Sequence, residues 1–236
     1  VIPTSQIKSD PKQKIDFNKK LIDLNELKIS HNNSEKKLNQ ILINCNTDSL
    51  LVMHKGILVF EYFNYFTAYD TPHIIFSISK SLTSLLTGIL VDKNIINLNN
   101  LVSDVLPETI GTSYEDATIR NVLDMNVASN FIEDYSGEAE IFKNYRSSTG
   151  WDISSSKNEN TLTGLHDFLS NMPKSDNPHG KKYHYCSPNS DLLGWIIERT
   201  SGEKFSNIMS ELLFKPAGIN HAATSTVDKL GAPRSA

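Results

Sequence analysis

Ser77-Ile78-Ser79-Lys80 sets a hydroxyl three residues before an amine, so that in a helix the two share one face, one turn apart. At that spacing the amine can take the hydroxyl proton, the step that makes a serine a nucleophile. The bare pattern is common, because Ser5, Ser9, Ser34, Ser154 and Ser201 each begin the same four-residue match. Context separates Ser77, which opens an apolar segment with Ile78, Leu82, Leu85, Leu86, Ile89 and Leu90 at helical spacing. This pattern predicts a largely buried helix, with a stripe of small residues at Ser81, Ser84 and Gly88 that a neighbouring element approaches closely. A lysine in such apolar surroundings is costly to keep charged, which suits a base.

A second chemical segment is Tyr185-Cys186-Ser187-Pro188-Asn189, which leads into the apolar run DLLGWIIERTSG. A tyrosine just before a buried helix can offer its phenol to a serine–lysine pair, where a nearby ammonium favours the phenolate and allows proton shuttling. Taken alone, the same tyrosine is an interface aromatic with a wet hydroxyl. Cys186 beside it reads as a small buried apolar residue.

The elements that must position these groups follow from pattern. SLLVMH and ILVFEYF flank Lys55-Gly56, which predicts a hairpin over 49–63. Tyr62-Phe63-Asn64 lies in its second strand and is assigned no chemistry. ATIRNVLDM predicts a helix, residues 131–151 an acidic, aromatic loop that roofs a pocket, and residues 152–161 a polar surface stretch. Helices are expected over 162–172, over the DLLGWIIERTSG segment with its stop at Ser201-Gly202, and over 205–213 before Pro216. Residues 1–40 read as an arm or partly ordered extension and 41–236 as the domain, closing on a loop-like stretch at 229–236 without an anchoring element.

Composition limits the function classes. The chain has 236 residues, with 23 basic and 27 acidic side chains, so the net charge is 23 − 27 = −4. A mildly acidic chain without a basic stripe gives no footprint for a phosphate backbone, which argues against nucleic acid. No apolar run approaches the roughly 18 residues of a membrane span. The two cysteines, Cys45 and Cys186, cannot form a disulfide framework. His179, His184 and Cys186 match no standard zinc spacing, and no Gly-x-Ser-x-Gly elbow occurs. Glu133 and Asp134 are sequence neighbours, too close for a separated glycosidase pair, and read as a solvated loop. The chemistry calls for no metal and no organic cofactor, and nothing assigns a compartment or an oligomeric state.

From about Ser49 onward the sequence resembles the serine β-lactamase and penicillin-recognising hydrolase family. Ser77-x-x-Lys80 looks like the family's nucleophile motif, and Tyr185, nine residues before Gly194, falls where its second-motif tyrosine stands. ATIRNVLDMNVASNFIEDY, YxSPNSDLLGWIIER and PAGINHAATSTVDKLGAPRSA are most similar to the nylon-oligomer (aminohexanoate-dimer) hydrolase and esterase branch. The resemblance implies an α+β, β-lactamase/DD-peptidase-like fold, with an antiparallel sheet flanked by helices around a helical middle region. It also implies that Tyr135, in the Glu-Asp-Tyr stretch, approaches the substrate.

Two departures accompany it. Where class C β-lactamases carry Asn two positions after the motif tyrosine, this chain has Ser187, whose shorter hydroxyl cannot make the same two-pronged contact. Ser187 and Asn189 are nonetheless expected beside the substrate. No Lys-Ser/Thr-Gly or His-Ser/Thr-Gly occurs, so the third motif with its strand is absent and the chain is expected to be a C-terminally truncated fragment, weakly active or inactive. The implied reaction is hydrolysis of a small amide or ester through acyl-Ser77. Lys80 or Tyr185 serves as base and Tyr185 as acid, the two titrating as a pair. The rivals are a non-catalytic scaffold that binds peptide or cell-wall fragments, and a D-Ala-D-Ala carboxypeptidase or β-lactamase.

Overall fold

The structure, a computed structural model, describes residues 2–31, 34–151 and 164–236. Its strands are β1 (Thr4–Ile7), β2 (Asn18–Lys19), β3 (Lys28–His31), β4 (Ser34–Lys37), β5 (Ser49–His54), β6 (Ile57–Phe63) and β7 (Ala223–Thr226). Its helices are α1 (Leu38–Asn44), α2 (Ile78–Asp92), α3 (Val102–Val105), α4 (Ile119–Leu123), α5 (Glu140–Ser148), α6 (Leu165–Leu169), α7 (Ser187–Ser201) and α8 (Phe205–Met209). The content is α+β. The chain divides into two compact units, Lys14–His73 and the combination of Val1–Gln13 with Ile74–Ala236.

In the smaller unit the expected hairpin forms: β5 and β6 pair antiparallel, with a bulge between Val52 and Met53. Lys55 and Gly56 both take positive φ, 50° and 76°, as a two-residue turn matched to strand twist requires. β2 adds to β6 in parallel, and β3 pairs with β4 antiparallel. Stretches expected to be an arm therefore contribute strands. Asn64 donates its side-chain amide to Asp48 at 2.8 Å, a structural bond consistent with its assigned lack of chemistry.

The larger unit is mostly helical and packs around α7. Eleven consecutive residues of α7, from Ser187 to Ile197, are buried, so the helix is enclosed on every face rather than amphipathic. Its end is the one the sequence signals, with Gly202 at φ 72°. α2 buries only one side. Leu86 and Leu90 are fully buried, while Ile78 is 65% and Leu85 57% exposed, and Ser81, Ser84 and Gly88 also face outward. The largely buried helix that was expected is thus buried along one side only, formed by Thr83, Leu86, Thr87 and Leu90.

Three further expectations change. Residues 131–151 are not loop throughout, because α5 occupies their second half and buries Phe142 and Tyr145 beside Phe131 and Phe168. Asp134 organises the turn before it by accepting backbone N–H bonds from Ser136, Glu138 and Ala139; the Ser136 hydroxyl first, and then these N–H groups, hold its carboxyl down at about 2. α6 is shorter than 162–172, and residues 152–163 lie outside the described ones. The last helix runs on from α8 as a π-helical turn, Ser210–Phe214. Among the described residues no helix is long and apolar enough to cross a membrane.

The C-terminal stretch, expected to be loose, is anchored. β7 pairs with β1, Arg234 N bonds Thr226 O, and Ser235 accepts the Thr83 hydroxyl of α2 at its carbonyl and donates its own hydroxyl to Ser190 O of α7. A Cβ at Gly194 would stand 2.5 Å from Ser235 Oγ, so the glycine is what lets the stretch reach α7. Gly194→Ala is expected to cost about 1–3 kcal/mol by this overlap, read as a lowered urea midpoint at unchanged m-value. An unchanged midpoint would show that the stretch moves aside freely.

Candidate active site

α2 delivers the first pair of groups. Ser77 stands at its N-cap and Lys80 one turn in, and Lys80 Nζ donates to Ser77 Oγ at 2.8 Å. The residue before, Phe76, holds φ at 41°, a left-handed conformation that costs a bulky side chain about 1–3 kcal/mol. Its carbonyl is bound twice by Ser79, by the backbone N–H at 3.0 Å and the hydroxyl at 2.6 Å. The turn that presents Ser77 is therefore strained and clamped. Ser77 is exposed and Lys80 half-buried, so the amine is less enclosed than the apolar spacing of the helix led one to expect.

The extended approach to α7 brings Tyr185 to the same place. The Lys80 ammonium lies over the Tyr185 ring, 5.1 Å from its centroid, a cation–π arrangement. The tyrosine is 37% exposed and meets Lys80 through its ring face, where a phenol contact was expected. Pro188 sits in the first turn of α7, where a missing N–H costs nothing.

Ser187 and Asn189 fare differently from their expected role. Both donors of Ser187 go to Glu133: its N–H to Oε2 at 2.7 Å and its hydroxyl to Oε1 at 2.8 Å. Asn189 is 1% exposed and accepts the Tyr114 hydroxyl at 3.0 Å. Two residues apart on a helix are about 200° apart in direction, so a helix that turns Ser187 toward Glu133 turns Asn189 into the core. Asn189 is corrected from substrate contact to core residue. Tyr135 is exposed and donates to Glu133; desolvation and that bond push its phenol up to about 12.

Glu133, read from sequence as solvated, is thus the residue that joins these parts. Its partner lies 54 positions away, and no local pattern signals that pairing. The three residues considered for metal are held separately. His179 accepts Ala128 N–H at 2.9 Å and faces Asp116, while His184 bonds Met125 through its backbone. Cys186 is buried, which pushes its thiol up. Among the described residues no group of three His, Cys, Asp or Glu could hold a metal ion.

The described beta-lactamase family model matches residues 43–235, a span that includes Ser77, Lys80 and Tyr185. The chain belongs to the beta-lactamase family. Within it, the chain is 31% identical over 194 residues to the 6-aminohexanoate-dimer hydrolase of Paenarthrobacter ureafaciens, covering 82% of this chain and 48% of that protein. A Bacillus anthracis structure described as a candidate 6-aminohexanoate-dimer hydrolase superposes with a TM-score of 0.90 at 21% identity, over 99% of this chain and 61% of that one. A class C β-lactamase from Rhodobacter sphaeroides shares the fold at a TM-score of 0.52 and 16% identity, over 75% of this chain and 46% of the other. The α+β arrangement is the β-lactamase/DD-peptidase-like fold. The chain spans about half the length of the curated relative it matches.

Proposed function

We propose that the protein carrying this chain is a serine hydrolase that cleaves small amides or carboxylic esters through an acyl-Ser77 intermediate. The observation that carries the reading is the 2.8 Å contact between Lys80 Nζ and Ser77 Oγ at the start of a 15-residue helix. In the deprotonated amine the bond runs the other way: Lys80 takes the Ser77 proton, and the alkoxide adds to the substrate carbonyl. The helix N-terminus favours the developing negative charge, and the Ser77 N–H supplies one oxyanion donor. Tyr185, coupled to the Lys80 ammonium through its ring, protonates the leaving amine or alkoxide. The same pair then activates the water that frees the acyl group.

The relative's name, which denotes hydrolysis of a 6-aminohexanoate dimer, supports an amide or ester substrate. Both donors of Ser187 are committed to Glu133, so its hydroxyl has no proton to offer a ligand.

The test is exposure of the purified protein to a fluorophosphonate, followed by peptide mapping. A single adduct on Ser77, absent from Ser77→Ala and slowed in Lys80→Ala, is expected. Folded protein that takes up no label at Ser77 would replace this reading with a binding scaffold.

A further inference from the structure

Glu133 carries three donated bonds on its two carboxylate oxygens. Ser187 gives its N–H to Oε2 and its hydroxyl to Oε1, and Tyr135 gives its phenol to that same Oε1. Of these three bonds, only that from the Ser187 N–H serves the α7 terminus itself. The convergence of two further hydroxyls on one oxygen fills its lone pairs and ties the loop before α5 to the first turn of α7. Ser187 is 5% exposed, so water does not replace either of its bonds. Tyr135 is 72% exposed, and its ring meets Phe142 edge-on at 5.0 Å, which leaves Glu133 as the partner that orients its hydroxyl. The carboxylate also sits at the positive end of the α7 dipole, which keeps an anion there favourable.

We propose that Glu133 is a positioning residue that holds the Tyr135 phenol and the first turn of α7 in one arrangement beside the Ser77–Lys80–Tyr185 group. This rests on the reading of that group as an acyl-transfer site. Tyr135 is thereby kept as a neutral hydroxyl pointing one way until a substrate acceptor competes for its proton. Ser187, with both donors on the same carboxylate, is held with it.

Two readouts test this. Tetranitromethane attacks phenolate, so a phenol held up at about 12 reacts slowly, and freeing it speeds the reaction tenfold for each unit its pKa falls. Glu133→Ala is expected to raise nitration of Tyr135 about tenfold relative to exposed Tyr183, and Glu133→Gln, which keeps an oxygen acceptor without the charge, by less. In p-nitrophenyl ester turnover, Glu133→Ala is expected to lower kcat/KM about tenfold, the worth of one such bond, but less than twofold when Tyr135→Phe is already present. A general structural role would give equal losses in both backgrounds, and that result, or an unchanged nitration ratio in both variants, overturns the proposal. Should Glu133→Ala unfold, buried Tyr114 and Tyr145 will nitrate as well, and the Gln variant then decides. Absence of any Ser77-dependent turnover would remove the hydrolase reading, while the nitration ratio would still decide whether Glu133 holds Tyr135.

Discussion

Exchange of Ser77 for alanine is expected to reduce turnover of an activated ester by about 10⁶-fold, the scale seen when a serine nucleophile is removed from a preorganised site. The size follows from the absence of a substitute among the neighbouring groups. Ser79, two residues on, spends its hydroxyl on the Phe76 carbonyl at 2.6 Å and stands on another side of the helix. Lys80→Ala is expected to cost about 10²–10⁴-fold, the range of a general base, because Ser77 loses the amine placed at 2.8 Å while the helix terminus stays in place. Steady-state hydrolysis of a p-nitrophenyl ester checks both. Turnover in Ser77→Ala within tenfold of the parent would mean that the nucleophile lies elsewhere.

The largest effect on stability is expected at Asp191. Its side chain is fully buried and receives the Tyr145 hydroxyl at 2.6 Å and the Ser235 N–H at 2.8 Å, with Arg234 Nε 3.4 Å away. Burial pushes its carboxyl up, and the Arg234 charge opposes that push. Asp191→Ala leaves a phenol and a backbone N–H without their acceptor and a mostly buried guanidinium without its counter-charge, and it removes one of the bonds that tie the C-terminal stretch to α7. A cost of about 3–5 kcal/mol is expected, because an uncompensated buried charge dominates it. For a chain of this size that lowers Tm by about 10 °C, measurable by circular dichroism. Asp191→Asn, which keeps one oxygen for Tyr145, should fall between the two. A Tm within about 2 °C of the parent for Asp191→Ala would show that the network contributes little.

Much of the site was legible because its first contact is local. Ser77 and Lys80 are one turn apart on any helix that contains both, and the apolar spacing after Ser77 identified that helix. Lys55-Gly56 fixed the hairpin through the turn it must make, and Gly202 fixed the end of α7. Tyr185 was identified by resemblance, and its place over Lys80 follows from the packing of α7 against α2.

What the sequence did not disclose depends on which separate elements meet. Asn189 looked available until the rotation of α7 carried it to Tyr114. Glu133 looked solvated because Ser187, its partner, is 54 positions away. Residues 229–236 looked loose because their anchors, Thr83, Ser190 and Asp191, lie on two distant helices. Residue types and their period determine which turn a segment makes and which side it buries, since those depend on backbone geometry a few residues long. They do not encode the partner that fills that side, because each such pairing is selected by how the whole set of helices packs, and only the tertiary structure decided it.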